Sequence, residues 1–525
     1  MKLANYVSGQ WTAGAGAGDP LIDPVTGEEL ARISSQNIDV QATLEFARSS
    51  GGAALRQFTY RERAELLAKI ADALAAHRDE YFRIALLNSG ATQADASFDI
   101  DGAIYTMKHY AKIGRTLADG KMLKEGGLVP LSKTGAFAGQ HFLTPSKGAA
   151  VFINAFNFPA WGFCEKAAPA LLAGVPIVIK PASATAWLTH RMVEDIVKTG
   201  ILPAGAISIL CGSARDLLDH VCEGDIISFT GSADTATRIR SHSNVSRRSV
   251  RINVEADSIN SAILGPDGAP GTEVFDLLVK EVVREMTLKA GQKCTAIRRV
   301  LVPRAHLQAA GEAISARLRS LKVGNPRNPD VKVGPVVNKA QQSSCLEGLK
   351  QLKQECSVLF GGDERFQPID ADPQRSAFVQ PTLLSCENGL EAKFVHDVEV
   401  FGPAATLVAY DGFEDLIAIA RRGLGSLVAS VFSNDPDFLQ NVVLGIGDLH
   451  GRILLVDSTV GSQHTGHGNV LPSCLHGGPG RAGGGEELAG LRALLLYHRR
   501  FVVQGPASCT THLAGLCADA GLLYS

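Results

Sequence analysis

Residues 148–180 read GAAVFINAFNFPAWGFCEKAAPALLAGVPIVIK, and this stretch decides the fold. Ala149 to Ile153 is an unbroken apolar run, and Pro176-Ile177-Val178-Ile179-Lys180 is a second. Working outward, Thr185 to Thr199 has helical character, Ile207-Ser208-Ile209-Leu210 reads as a strand, and Asp216 to Cys222 as a helix. Ile226-Ile227-Ser228-Phe229 is strand-like again. Continuous apolar strands separated by short helices are buried on both faces, which is the pattern of a parallel sheet covered by helices. The pattern recurs with a helix from Glu273 to Lys289, a strand from Arg299 to Val302 and a helix from Ala305 to Leu321. The class is α/β, with two successive units. Upstream, Leu66, Leu67, Ile70 and Leu74 at helical spacing predict one amphipathic helix over Arg61 to Leu87, closed by Gly90.

A chain of 525 residues is long enough for roughly three domains. Its 51 basic and 53 acidic side chains leave a formal charge of -2, so no global electrostatic grip on nucleic acid or an anionic membrane is expected. The ten cysteines contain no C-x-x-C pair, which argues against a disulfide scaffold or zinc ribbon. The apolar stretch from Gly148 to Ile179 is interrupted by polar residues and prolines, and no secretory leader is visible. The expectation is a soluble, reduced, cytoplasmic protein with small-molecule ligands.

Two segments fall outside the α/β units. Thr134 to Lys147 alternates, and Leu494 to Gln504 (LLLYHRRFVVQ) is strand-like near the C-terminus. A late strand detached from its sheet suits either pairing with another subunit or a plain edge position. Residues 506–525 are rich in small side chains without a period and read as a tail.

Several loops could carry chemistry. Cys294, in Gly291-Gln292-Lys293-Cys294-Thr295, sits on a connection between a helix and a strand, where a thiolate could face a pocket. Glu255 ends an apparent strand, the position where α/β folds gather ligands. Asn157 precedes Phe158-Pro159, whose proline shapes the loop, and its amide could hold an oxyanion. Each has a plain alternative: a packed cysteine, a solvated carboxylate, a turn-forming asparagine. Lys180 and Ser183 follow one strand, Gly231 and Ser232 another, and the latter pair offers donors to a pyrophosphate where a helix begins. The G-x-G-x-x-G fingerprint is absent at both places. Glu399 and Phe401, in E-V-F-G-P, could hold a ribose and cover a flat ring.

In this order and spacing, N-F-P, K-P, F-T-G-S, the strand-end Glu, G-Q-x-C-T and E-x-F-G-P resemble the NAD(P)-dependent aldehyde dehydrogenase superfamily over nearly the whole chain. The resemblance implies two Rossmann-like parallel-sheet domains plus a small β oligomerisation arm. It places a NADP-binding domain in residues 1–128 and 147–255, a catalytic domain in 256–480 and the arm in 129–146 and 490–505. It implies that Cys294 attacks an aldehyde, Asn157 holds the oxyanion and Glu255 activates water, with Lys166 and Glu487 as a proton-relay pair. Lys180, Ser183, Gly231, Ser232, Glu399 and Phe401 become the cofactor-binding set. Where many NAD-preferring relatives carry a Glu, this chain has Ser183, so NADP is the expected cofactor and NAD the poorer one. One departure is Ala256-Asp257-Ser258 in place of the Leu-Gly-Gly that often follows the base.

A narrower resemblance lies in His476-Gly-Gly-Pro-Gly-Arg-Ala-Gly-Gly-Gly-Glu-Glu-Leu488. It is similar to the branch that oxidises CoA-linked semialdehydes in aerobic aromatic degradation, in its form without a hydratase domain. A small-molecule CoA-linked semialdehyde substrate, no nucleic-acid or membrane partner, and a homodimer are therefore expected. Enzymes for free medium-chain or aromatic aldehydes, and a non-catalytic member of the fold, are the competing readings. For His464, His467, Cys474 and His476 a zinc site competes with a loop near the substrate entrance; the spacing favours the loop, and no metal is expected. The basic run from Arg238 to Arg251 reads as a solvated face rather than a phosphate patch.

Overall fold

The computed structural model describes residues 1–362 and 366–524. The apolar runs become the core of a seven-stranded sheet. Its order is Arg251–Glu255, Ile226–Thr230, Ala150–Ile153, Ile177–Lys180, Ile207–Ile209, Asn5–Val7 and Gln10–Thr12. The first five strands are mutually parallel, and the N-terminal hairpin adds antiparallel strands at one edge. Register aligns the carboxyl ends: Ile153 lies beside Lys180, and Thr230 beside Glu255. Four of the candidate loops therefore leave one edge of one sheet.

A second seven-stranded sheet has the order Ser357–Phe360, Thr382–Cys386, Ala404–Tyr410, Ile297–Pro303, Asn260–Leu264, Ser426–Phe432 and His450–Val456. It is parallel apart from its first strand. Glu273–Thr287 packs its buried Phe275, Leu278, Val282 and Met286 on this sheet and delivers the chain to the loop carrying Cys294. The two sheets confirm the expected pair of α/β units.

The structure corrects several expectations. The helix expected over 61–87 is two, Tyr60–Ala76 and Arg78–Ser89, broken at His77 so that Leu67, Ile70 and Leu74 share a core with Tyr81 and Ile84. Asp216 to Cys222 contains only a short 3-10 turn, Leu217–His220. The strand expected from Leu494 begins at His498. Gly490–Tyr497 is 3-10 helix because Leu491, Leu494 and Tyr497 dock on the core. His498–Pro506 pairs along its length with Phe137–Pro145 of the same chain, at the edge of a four-stranded sheet with Leu123–Pro130 and Ala518–Asp519. The supposed tail is likewise structured: it forms the helix Ala507–Gly515, adds Ala518–Asp519 to that sheet, and buries Ala520 and Leu523. Among the described residues, no helix is long and apolar enough to cross a membrane.

Arg299, fully buried in the strand Ile297–Pro303, holds the second unit to its helices. Its guanidinium donates to the Ile419 and Ala420 carbonyls at the end of the helix Phe413–Arg421, to the Ile259 carbonyl, and to His396 Nδ1 at 2.8 Å. Helix-end carbonyls have no partner of their own, so a buried cation there meets both a hydrogen-bonding and a dipole requirement. Arg299→Leu strands these carbonyls, at about 1–3 kcal/mol for each one left without a partner. Thermal unfolding of the variant is expected to begin several degrees lower, and an unchanged midpoint would contradict the role given to this side chain.

Candidate active site

Cys294 lies where the two sheets face each other. The backbone before it is wound left-handed at three consecutive residues: Lys289 (φ 54°), Ala290 (φ 51°) and Gly291 (φ 69°). At Gly291 a Cβ would stand 2.2 Å from the Gly402 carbonyl oxygen, so glycine is required by both its φ and the close approach. Arg298 clamps the two motifs together by donating to the carbonyls of Gly291, Lys293 and Gly402. Asn260 Nδ2 then donates to the Cys294 carbonyl at 2.7 Å. These contacts hold the thiol at the boundary of two cavities.

One cavity, of about 540 Å³, runs along the carboxyl edge of the first sheet and is lined by Lys180, Ser183, Gly231, Ser232, Glu399 and Phe401 together with Asn157, Glu255 and Cys294. The other, of about 390 Å³, is lined by Phe98, Phe158, Trp161, Val470 and Leu471 together with polar residues such as Asp101 and Asn469, and also reaches Cys294. All the residues expected to bind a cofactor thus line one crevice. Ser232 differs in detail from expectation: its hydroxyl accepts from Thr235 N and caps the helix Ala233–Ser241. Asp257 accepts from Ala233 N at 3.2 Å, which gives the unusual Ala256-Asp257-Ser258 a purpose. Ser258 N donates to Glu399 Oε2, and Ala256 N to the Ala482 carbonyl. Burial raises Glu399 to about 7 despite Arg298, while burial lowers the Lys180 ammonium.

Asn157 is buried at a bend of the chain and lines the first cavity. Lys166 and Glu487 form a buried ion pair at 2.9 Å. Lys166 also reaches Glu165 at 3.1 Å and donates to Thr230 Oγ1 at 2.9 Å. Glu487 accepts from Ser228 and Asn253, which are register partners on neighbouring strands. Burial opposes the charge on Lys166, but Glu165, Glu487 and Glu255 outweigh it and raise its pKa. Burial raises Glu487. For Glu165, burial is outweighed by Lys166 and His476, and its pKa is lowered. Burial, then the Glu255 carboxylate, pushes the Cys294 thiol well up.

Two members of this cluster escaped the sequence reading. His476 was placed in an entrance loop, yet it is buried with Nε2 at 3.9 Å from Cys294 Sγ, 3.4 Å from Glu255 Oε2, and Nδ1 at 2.9 Å from Glu165 Oε2. Glu165 was only a polar interruption. Its signal was available: a Glu-Lys pair inside the otherwise apolar helix Trp161–Ala173 must be buried, and buried charges need partners. The glycines after His476 bring it there. Gly477 has φ 144° and a Cβ on it would stand 1.9 Å from the Gly485 carbonyl oxygen, which closes the hairpin with Gly485–Glu486. His464, His467, Cys474 and His476 do not converge: His467 bonds Ser430, and Cys474 is exposed. In the basic run, Arg240 and Arg251 donate to backbone carbonyls and Arg248 pairs with Glu223.

The profile of the Aldehyde dehydrogenase family matches residues 11–463. The chain belongs to this family. It is therefore an NAD(P)-dependent oxidoreductase acting on aldehydes. It is 66% identical over 479 residues to the 3,4-dehydroadipyl-CoA semialdehyde dehydrogenase of Aromatoleum evansii, covering 91% of this chain and 93% of that one. An aldehyde dehydrogenase from Bacillus cereus, solved as an NAD+ complex, superposes with a TM-score of 0.83 at 23% identity, over 97% of each chain. The betaine aldehyde dehydrogenase of Staphylococcus aureus with NAD+ gives 0.83 at 24% identity, over 96% of this chain and 95% of that one. These two establish the shared fold.

Because the clamp at Gly291 sets the position of Sγ, Gly291→Ala is expected to lower kcat about a hundredfold through misplacement of the thiol. Steady-state kinetics on the soluble variant check this, and retention of parental kcat would refute it.

Proposed function

We propose that the chain oxidises 3,4-dehydroadipyl-CoA semialdehyde to 3,4-dehydroadipyl-CoA in aromatic catabolism, with NADP as cofactor and Cys294 as nucleophile. The observation that carries this reading is the thiol's position at the meeting of two cavities. The second cavity, with Phe98, Phe158 and Trp161 in its wall, suits a carbon chain that brings its terminal carbonyl to Sγ while a CoA head group stays outside. The high identity to a relative of that name favours this substrate class.

The crevice fits a phosphorylated dinucleotide. Among the described residues Lys180 has no ion-pair partner, Ser183 places a neutral donor beside it, and Glu399 Oε1 is buried without a hydrogen bond. In this reading Lys180 and Ser183 hold the 2′-phosphate, Gly231 and Ser232 face the pyrophosphate, and Glu399 and Phe401 hold the ribose and ring. Bound there, the nicotinamide supplies the hydride acceptor for oxidation of the adduct to a thioester.

The protein's own part begins with attack of Sγ on the carbonyl carbon. The oxygen gains the π pair and is held by the Asn157 amide and the Cys294 N–H. The resulting thioester is cleaved by water that Glu255 deprotonates. Both Glu255 oxygens are buried without a hydrogen bond, the nearest nitrogen being His476 Nε2 at 3.4 Å, which leaves the carboxylate available as a base. A cavity of about 10 Å³ among Asn157, Glu255, Cys294 and His476 is near the lower limit for one water. Lys166 and Glu487 carry released protons away. Residues 1–128 and 147–255 serve as the cofactor domain, 256–480 as the catalytic domain, and the segments 129–146 and 490–505 as the arm of a homodimer.

Comparing NADPH formation with the CoA-linked semialdehyde and with a free medium-chain aldehyde tests the substrate. The CoA-linked substrate is expected to give the higher kcat/KM, and NAD in place of NADP a lower one. Equal values with the free aldehyde, or better values with NAD, would overturn the corresponding part. Glu255→Gln should turn over about a hundredfold more slowly or worse. Release of acid at the parental rate would remove Glu255 from the mechanism.

A further inference from the structure

We propose that His476, oriented by Glu165, is a catalytic residue of this dehydrogenase, its ring being the cationic partner that holds Cys294 as a thiolate for attack. The proposal rests on Cys294 being the nucleophile, but not on the identity of the aldehyde. The geometry is a continuous line. Glu165 Oε2 lies 2.9 Å from Nδ1, and Nε2 lies 3.9 Å from Sγ, within reach of a sulfur hydrogen bond. Trp161 packs on the ring at 5.0 Å between centroids and fixes its tilt. The imidazole is 2% exposed.

The charge arrangement needs such a group. A thiolate is the reactive form. Here the sulfur faces Glu255 from the strand Arg251–Glu255, Glu165 from the helix Trp161–Ala173, and Glu399 from the second unit. All three disfavour a further negative charge. Arg298 and Arg452 feel the same sulfur, but Arg298 is engaged by three carbonyls and Arg452 donates to the His467 carbonyl. Lys166 is held by Glu165, Glu487 and Thr230. His476 is the cation brought to Sγ itself. The groups facing it are Glu165 and Lys166 from one helix, Glu255 from the strand end, and Glu487 from the segment after Gly485–Glu486. Burial alone would strip its proton, but Glu255, Glu165 and Glu487 raise it to about 9. These carboxylates favour the imidazolium form, in which Nδ1–H is donated to Glu165 and Nε2–H faces Glu255 and sulfur.

The step balances without another reagent. The thiol proton passes to the Glu255 carboxylate, and the S–H electron pair stays on sulfur. The imidazolium keeps both its protons and donates Nε2–H to the thiolate. As the S–C bond forms, the carbonyl π pair moves to oxygen. Glu165 is a positioning residue: it touches neither sulfur nor substrate, and it sets the ring's orientation and protonation.

The test is alkylation of Cys294 in the intact, cofactor-free enzyme by iodoacetamide, followed against pH with the Cys294 peptide quantified by mass spectrometry. In His476→Phe and His476→Gln the alkylation rate at pH 7.5 should fall about tenfold or more, with the apparent pKa of the thiol raised by at least one unit. Steady-state kcat should fall with KM little changed. Glu165→Gln should introduce an inflection below pH 9, as the ring loses the carboxylate that keeps it protonated. His476→Gln retains polar packing, so it separates a folding failure of the Phe variant from loss of the cation. An unchanged alkylation profile in His476→Gln, even with impaired turnover, would overturn the proposal and leave the ring as packing. Full activity after stoichiometric Cys294 alkylation would instead refute the nucleophile assignment.

Discussion

Five ionisable side chains, Glu165, Lys166, Glu255, Glu487 and His476, share one nearly dry volume behind the thiol. Burying a charge costs several kcal/mol after relaxation, and mutual attraction returns that cost only when geometry is tight. A fold selected for stability alone would fill such a space with apolar side chains. The surrounding structure has to force this cluster together, and it does so with elements of the first sheet's unit and the glycine hairpin. The helix Trp161–Ala173 supplies Glu165 and Lys166, register partners Ser228 and Asn253 hold Glu487, and the glycine hairpin closes over His476.

Each carboxylate in the cluster has a different environment, and that difference separates their uses. Glu487 is fixed by Ser228, Asn253 and Lys166. Glu165 is fixed by Lys166 and His476. Glu255 makes no such hydrogen bond, and its nearest nitrogen is His476 Nε2, 3.4 Å from Oε2. A carboxylate held by several strong donors is a poor base, whereas one with a single longer contact can accept a proton and release it again. The structure therefore leaves proton acceptance to the group that stands beside the thiol.

The amount legible in the sequence followed the kind of signal involved. The parallel sheets were readable because buried strands show as continuous apolar runs such as Val151–Ile153 and Ile177–Ile179. Cys294, Glu255 and Asn157 stood at strand ends or helix-to-strand loops, where topology concentrates function. The break at His77 was invisible because apolar spacing continues through it. The C-terminal segment had no period, yet Ala520 and Leu523 enter the core because neighbouring elements leave space for them. His476 was hidden for a different reason. Its neighbours Glu165 and Glu255 are 311 and 221 positions away along the chain, and only the hairpin after it brings them into contact.

That hairpin joins the two units physically as well as chemically. Ala256 N bonds the Ala482 carbonyl, Glu486 N bonds Asn253, and Glu487 N bonds the carbonyl of His476 itself. A glycine-rich backbone can lie against the strand Arg251–Glu255 this closely because no side chains intervene; at Gly485 a Cβ would stand 2.3 Å from the Val254 carbonyl oxygen. The strand end carrying the base, the ring facing the thiol and the carboxylate of the relay are consequently pinned by one short segment. Motion of that segment would shift all three together rather than detune one of them, which is the mechanical condition for a proton path that must work in step with a covalent cycle.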